Sequence, residues 1–288
     1  MEQIWALYAI GALITVGLGD FIKKLVLNKG GDKDVFLFTC FLMYVPVFWI
    51  NAYFQGNLVF DENTLRAACI IGMANFGAPL GVMTALKYLN VSFALVAIRV
   101  TSSFLVLFIG LYILGDSLSI YNILGFLLGA FAIFLLSGLR IGQKIDIHPK
   151  GIIAVFIAII AIVFGSSYYK YMIEGVQVHD YTAVQFTVTG LCLTLYMIVR
   201  GKLSNFNTVE IKKIFPYSFM TIWLFVLFFL YFMPNMYLLG PLSLSYKMLS
   251  YSLVVPIILS VVFLGEPINK TRIFAFGLTI VSIFLFLV

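Results

Sequence analysis

The sequence predicts an all-α integral membrane protein, with ten transmembrane helices in two inverted five-helix repeats. Three observations carry that prediction. Of the 288 residues, 62% are hydrophobic and only 10% charged, against about 25% charged in an ordinary soluble domain. The apolar residues fall into ten long runs separated by short polar clusters. One stretch, Leu114-Gly115-Asp116, returns 150 residues later as Leu264-Gly265-Glu266.

A globule with so little charge cannot cover its own surface, so lipid must be the solvent for most of the chain. In lipid each span must satisfy its backbone hydrogen bonds internally, which makes helices the default. The alternation of a lipid-embedded barrel strand is absent. The aromatic share of 17% suits lipid-facing surfaces and interfacial belts. A net charge of +6 would suggest nucleic acid if it were clustered, but the basic residues are scattered among short loops, so no nucleic-acid partner is expected. Cys40, Cys69 and Cys192 lie far apart inside apolar runs, which argues against a disulfide framework or a zinc site. The chain has no phosphate-cradling GxxxxGK[ST], no HExxH and no GxSxG, and both histidines, His148 and His179, sit at loop edges. No enzyme activity, metal or cofactor is expected.

At about 20 apolar residues per crossing, the spans in order are 4–27, 35–55, 65–88, 91–114, 119–139, 151–173, 181–199, 215–239, 242–264 and 272–288. The first is too long for a signal peptide and lacks a small-residue cleavage pattern, so it reads as a mature span. Two separators, Leu89-Asn90 and Gly240-Pro241, are only two residues each. They predict that the third and fourth spans, and the eighth and ninth, form antiparallel hairpins.

The repeat rests on more than composition. Ile123, Phe126, Leu128, Ile133, Phe134 and Leu135 follow the first Leu-Gly-acid motif. Ile273, Phe276, Leu278, Ile283, Phe284 and Leu285 follow the second at the same offset. The two short separators also recur near that offset. The domains are therefore 1–145 and 146–288. Five spans per half is an odd number, so the second half enters the membrane from the opposite side, an arrangement that places a site between the halves. Eleven basic residues lie in the odd-numbered loops and Arg66 alone in the even-numbered ones. The positive-inside rule then puts the odd loops in the cytoplasm and both termini outside.

Ionisable residues within spans are costly and therefore candidates for function. Arg99 sits eight residues into the fourth span, about 12 Å deep. Lys247 enters the ninth span from the other face to roughly 8 Å; its repeat equivalent is Ala97, two residues from Arg99. The two cations thus approach the middle from opposite sides, as candidate substrate-binding groups, although a snorkelling Lys247 is an equal alternative. Asp20 is either a coupling carboxylate or one member of an internal ion pair with Lys23 and Lys24, at i+3 and i+4. Lys23, Lys24 and Lys170 otherwise read as interfacial anchors. Asn75, Tyr168, Trp223 and Tyr231 are further candidates for lining a cavity, and Pro256 marks a mid-span kink or notch. Gly125-x-x-x-Gly129 reads as a close helix contact.

From Thr84-Ala85-Leu86-Lys87-Tyr88 through Leu114-Gly115-Asp116 to Gly125 and Gly129, and from Pro241 through Pro256 to Leu264-Gly265-Glu266-Pro267, the chain resembles the drug/metabolite transporter superfamily, EamA type. Gly19-Asp20-Phe21 is similar to the family's WGxxF segment without its tryptophan. The resemblance implies ten helices in two inverted repeats and transport by alternating access. It also implies a central cavity lined by the third, fourth, eighth and ninth helices with help from the first and sixth. Both termini would then be cytoplasmic, against the charge count. Gly115, Asp116, Gly265 and Glu266 become structural, the two acids capping the helix that follows each. The expected function is a secondary transporter of a small polar metabolite, an organic anion or amino-acid-like zwitterion, in the cell (plasma or inner) membrane. The alternatives are a proton-coupled exporter of amino acids or drugs, and a non-transporting receptor or assembly subunit. The expected partners are the lipid bilayer, a small-molecule substrate and, left open, a second copy in a homodimer.

Overall fold

A computed structural model describes residues 4–55, 61–89, 91–136, 148–265 and 270–286, and they are almost entirely helical. The helices are α1 (Ile4–Asn28), α2 (Lys33–Gln55), α3 (Glu62–Tyr88), α4 (Val91–Tyr112), α5 (Ile120–Leu136), α6 (Pro149–Met172), α7 (Val178–Val199), α8 (Thr208–Leu227), α9 (Met233–Leu239), α10 (Leu242–Ser250), α11 (Val254–Leu264) and α12 (Lys270–Phe286). A π-turn, Phe228–Phe232, joins α8 to α9, and a 3₁₀ turn, Tyr251–Leu253, joins α10 to α11. Both pairs run on as single rods. Among the described residues eight helical rods are long and apolar enough to cross a membrane. The apolar helix α5, at 17 residues, is shorter, and so is α12, also 17 residues. Asn90, Arg140, Lys144 and Glu266 lie outside the described residues.

Local chemistry starts and interrupts these helices. The Asp61 carboxylate accepts from the Thr64 N–H at the start of α3, and Asn207 accepts from Glu210 N–H at the start of α8, each satisfying an otherwise orphaned donor. Ser119 and Asn122 cap α5 reciprocally. Proline explains both mid-rod breaks. Pro234 has no N–H to give, and its ring would crowd the carbonyl one turn back. The chain widens into the π-turn just before it, with Met233 N–H reaching back to Phe228 O. The 3₁₀ turn similarly precedes Pro256.

In the bundle α1 packs along α8, α9, α10 and α11, while α6 packs along α3 and α4. Helix α2 lies against α7 and α8, α4 against α10, and α5 against α12. Glycine allows the closest of these approaches. A Cβ on Gly81 would stand 2.9 Å from the Ala154 carbonyl and the Ala158 nitrogen of α6, and one on Gly17 2.5 Å from the Ser252 carbonyl. Gly125 and Gly129 seat the side chains of Phe286 and Tyr251, as the spacing predicts.

The two expected hairpins are not tight. Helix α3 packs far more along α6 and α7 than on α4, and α9 meets α10 only sparingly. Each pair splays from its short turn, so α3, α4, α9 and α10 can all line one cavity between them.

Candidate functional site

The cavity, about 200 Å³, is walled by α1, α2, α3, α4, α6, α7 and the two kinked rods. Its polar end holds three charged side chains. The Asp20 carboxylate spans two cations: Oδ1 accepts from Lys23 Nζ at 2.8 Å, and Oδ2 from Arg99 Nη2 at 2.9 Å. All three are largely buried, with side-chain exposures of 9% for Asp20, 13% for Arg99 and 16% for Lys23. The helices bring them together by depth. Asp20 lies eight residues before the end of α1 and Arg99 eight residues after the start of α4, so both sit about 12 Å from the same face. Lys23 follows Asp20 by just under one turn. The triad carries one net positive charge, and among the described residues no other charged side chain lines the cavity.

The remaining wall is apolar and aromatic, with a few neutral polar groups. Phe41, Tyr44, Phe186, Phe225, Phe228 and Phe229 form one side; Tyr44 stacks on Phe225 at 5.3 Å between centroids, and Phe186 meets Phe229 edge-on at 4.9 Å. Asn75 and Pro79 of α3 face the cavity, as do Ser166 of α6, Thr221 of α8, Tyr237 of α9 and Tyr246 of α10. The buried hydroxyls of Tyr237 and Tyr246 lie beside Ser166 and Arg99 respectively.

Several sequence-predicted residues stand elsewhere. Trp223 is 57% exposed and Tyr231 52%. Thr221 and Phe225 of α8 face the cavity, and at about 100° per residue Trp223 between them must point away. Tyr168 stacks on Phe164 and is not in the cavity wall. The internal ion pair expected for Asp20 includes Lys23 but not Lys24, which donates to Ser260 Oγ at 2.9 Å. Lys170 is no lone anchor either, since its Nζ donates to the carbonyls of Tyr237 and Gly240 at the end of α9.

Lys247 departs most from expectation. Tyr246 and Leu249 point into the cavity, and Lys247 turns away into the protein, fully buried. Among the described residues its Nζ has no hydrogen-bond partner, and it lies 4.2 Å from the centre of the Phe126 ring and 5.7 Å from that of Tyr251. The two cations therefore do not meet at one site: Arg99 serves the cavity, and Lys247 is sealed behind its wall. The contributions of α2, of Phe186 and of Lys23 were not among the sequence-predicted site residues. The pattern Asp20-x-x-Lys23 was the one signal for Lys23.

Residues 3–138 match the EamA-like transporter family. Over that stretch the chain is similar to the family. With eight apolar helices of membrane-crossing length among the described residues, the chain is a multi-pass membrane protein, and its first half is similar to a transporter family. No curated protein matches it. A solved structure titled only "Crystal structure of protein" aligns with a TM-score of 0.70 over 99% of this chain and 95% of its own, at 16% identity. At that identity the likeness concerns the fold alone, and it extends beyond the family match into the second half.

The repeated Leu-Gly turns are built as helix ends. Gly115 and Gly265 both adopt left-handed backbone, φ 72° and 66°, a region that glycine occupies without steric cost. Gly265 closes α11 with its N–H on Ser260 O, and Asp116 N–H reaches back to Gly110 O after α4. The Asp116 carboxylate corrects an expectation. It does not cap α5, whose first turn is already served by Ser119. Its Oδ2 accepts from the Ser243 N–H at 2.8 Å and the Ser243 hydroxyl at 2.7 Å, at the start of α10 in the other half. The reason is proximity: Gly110 lets Asp116 fold back on α4 and stand beside Ser243. Pro256 is buried at the α10–α11 break, and among the described residues no group of His, Cys, Asp and Glu converges as a metal site would require.

Proposed function

We propose that the chain is a secondary transporter of the cell membrane that carries a small organic anion through the cavity between two inverted five-helix repeats. The observation that carries this reading is a mostly apolar cavity whose charged end, at Arg99, Asp20 and Lys23, holds one net positive charge within reach of a substrate carboxylate. A guanidinium offers two parallel N–H donors to such a group.

The repeat, with boundaries 1–145 and 146–288, is supported by the packing. Counting α8–α9 and α10–α11 as single rods gives ten. Adding five to the rod number maps the packing of α6 on α3 and α4 onto that of α1 on the two kinked rods. The α2–α7, α4–α10 and α5–α12 contacts map onto themselves. Helices α5 and α12, at 17 residues each, extend about 25 Å and complete the ten crossings. Both carry outward apolar faces, among them Leu127 and Phe131, and Ile280 and Phe284, which suit lipid. A central cavity between inverted repeats is the geometry of alternating access. Its charged end lies nearer the face of the basic loops, which the charge bias assigns to the cytoplasm.

The test compares metabolites inside and outside cells producing the wild-type chain with those in cells producing Arg99→Ala at equal membrane levels. The proposal expects at least one organic anion to redistribute with the wild type and not with the variant. Identical profiles for the two would refute it.

A further inference from the structure

We infer that Asp20 is an internal stand-in for the substrate's carboxylate: it holds Arg99 at the cavity wall, and a monocarboxylate with an apolar body displaces it. The inference rests on the organic-anion reading above and deepens it.

Asp20 makes this role chemically accessible because it is bidentate between two different helices. One oxygen engages Arg99 across from α1 to α4, and the other engages Lys23 on its own helix. An incoming carboxylate that takes the guanidinium breaks only the first contact. Asp20 keeps Lys23, so the displaced carboxylate is not left buried and unpaired, a state that would oppose displacement strongly. The exchange swaps one carboxylate for another on the same donor, and the guanidinium is never bare.

Charge and shape then define the substrate. With Asp20 in place the triad offers one positive charge, so one anionic group neutralises it, and a second would enter the apolar wall with no counter-charge. An amine would meet Arg99 and Lys23 as like charges. Beyond the triad the body of the ligand meets Phe225, Phe228 and Phe229. A cavity of about 200 Å³ lies below the ~300–1,000 Å³ of sites for drug-sized ligands, so the occupant is small. These properties describe a ring-sized or branched aliphatic monocarboxylate.

The experiment is calorimetric titration of the purified full chain in detergent with benzoate, cyclohexanecarboxylate, succinate and phenethylammonium. Both ring monocarboxylates should bind; succinate and phenethylammonium should not. Asp20→Asn removes the competitor and should bind benzoate roughly tenfold more tightly, one unit on the logarithmic affinity scale. Asp20→Ser serves the same purpose if the asparagine variant does not fold. Lys23→Gln strands the displaced Asp20 and should weaken benzoate binding by a similar factor. A purely structural triad would weaken binding in both variants, so opposite signs are the decisive result. Benzoate affinity unchanged or lowered in both Asp20 variants, or a preference for succinate or phenethylammonium, overturns the inference. Uptake into vesicles separates this from the parent reading. A monocarboxylate that binds but is not carried removes transport and leaves the role of Asp20. Flux of a solute from another class removes the role of Asp20 and leaves transport.

Discussion

Arg99 and Lys247 show how differently two buried cations can be accommodated in one bundle. Arg99 is paired with Asp20 at the edge of a cavity, whereas Lys247 is enclosed by rings with no acceptor. A buried polar group without a partner costs about 1–3 kcal/mol. Lys247→Met, which keeps length and removes the amine, should therefore raise stability by an amount of that order. Thermal unfolding in detergent checks this, and a lowered melting temperature would show that the cation–ring contacts outweigh desolvation. Arg99 and Asp20 each stood out in the sequence because charge at that depth is rare, but their pairing did not, since Arg99 was matched with Lys247 and Asp20 with its own helix's lysines. The position of Lys247 was not legible, because which side of α10 faces the cavity depends on the breaks at either end of that nine-residue helix. Trp223 and Tyr231 failed as candidates because aromatic residues are abundant throughout this chain, so residue type says little about direction.

At the element scale the repeated motif keeps one backbone form, and the acid of its first copy ties α4 to α10. Gly115 and Gly265 hold the same left-handed turn, and alanine at either costs about 1–2 kcal/mol in that conformation. Gly115→Ala and Gly265→Ala should each lower the melting temperature by similar amounts. Asp116→Ala removes two charge-assisted bonds to Ser243 and should cost about 1.5–3 kcal/mol, with α10 rather than α5 gaining exchange of its first amides. The turn between α1 and α2 is tied in the same way. Asp32 N–H donates to Glu210, while the Asp32 carboxylate accepts from the Asp34 and Val35 N–H groups and from Asn205. Partial burial pulls the Asp32 carboxyl upward, but those donors outweigh it and hold the group below the usual carboxylate range. A depressed carboxyl contributes stability above its unfolded pKa of about 3.9, and that contribution is lost as pH falls through the folded value. Asp32→Ala should thus lower stability at neutral pH and flatten its decline below about pH 4. Helix existence and order were legible from the apolar runs. The π-turn was not, because Pro234 marks a disturbance without saying whether the chain bends, tightens or widens. The splay of α3 from α4 was hidden too, since a two-residue connection fixes where helices meet and not the angle at which they part.

For the whole molecule, the apolar runs made the all-helical membrane class legible, and the proposed inverted repeat puts the cavity between its halves. The wall contributed by α2 lay beyond reach, because its residues Phe41 and Tyr44 belong to an unbroken apolar run with nothing to distinguish an inward ring from an outward one. Orientation is set by the distribution of Lys and Arg, and a reporter fused to the C-terminus should lie outside the cytoplasm; a cytoplasmic reporter would show that the charge bias is overridden here. The central claim is that the chain carries an organic anion at Arg99. Its most direct test is uptake of labelled benzoate by vesicles containing the wild-type chain or Arg99→Ala. The account predicts saturable uptake by the wild type that falls to the level of empty vesicles in Arg99→Ala; saturable uptake undiminished in that variant would contradict it.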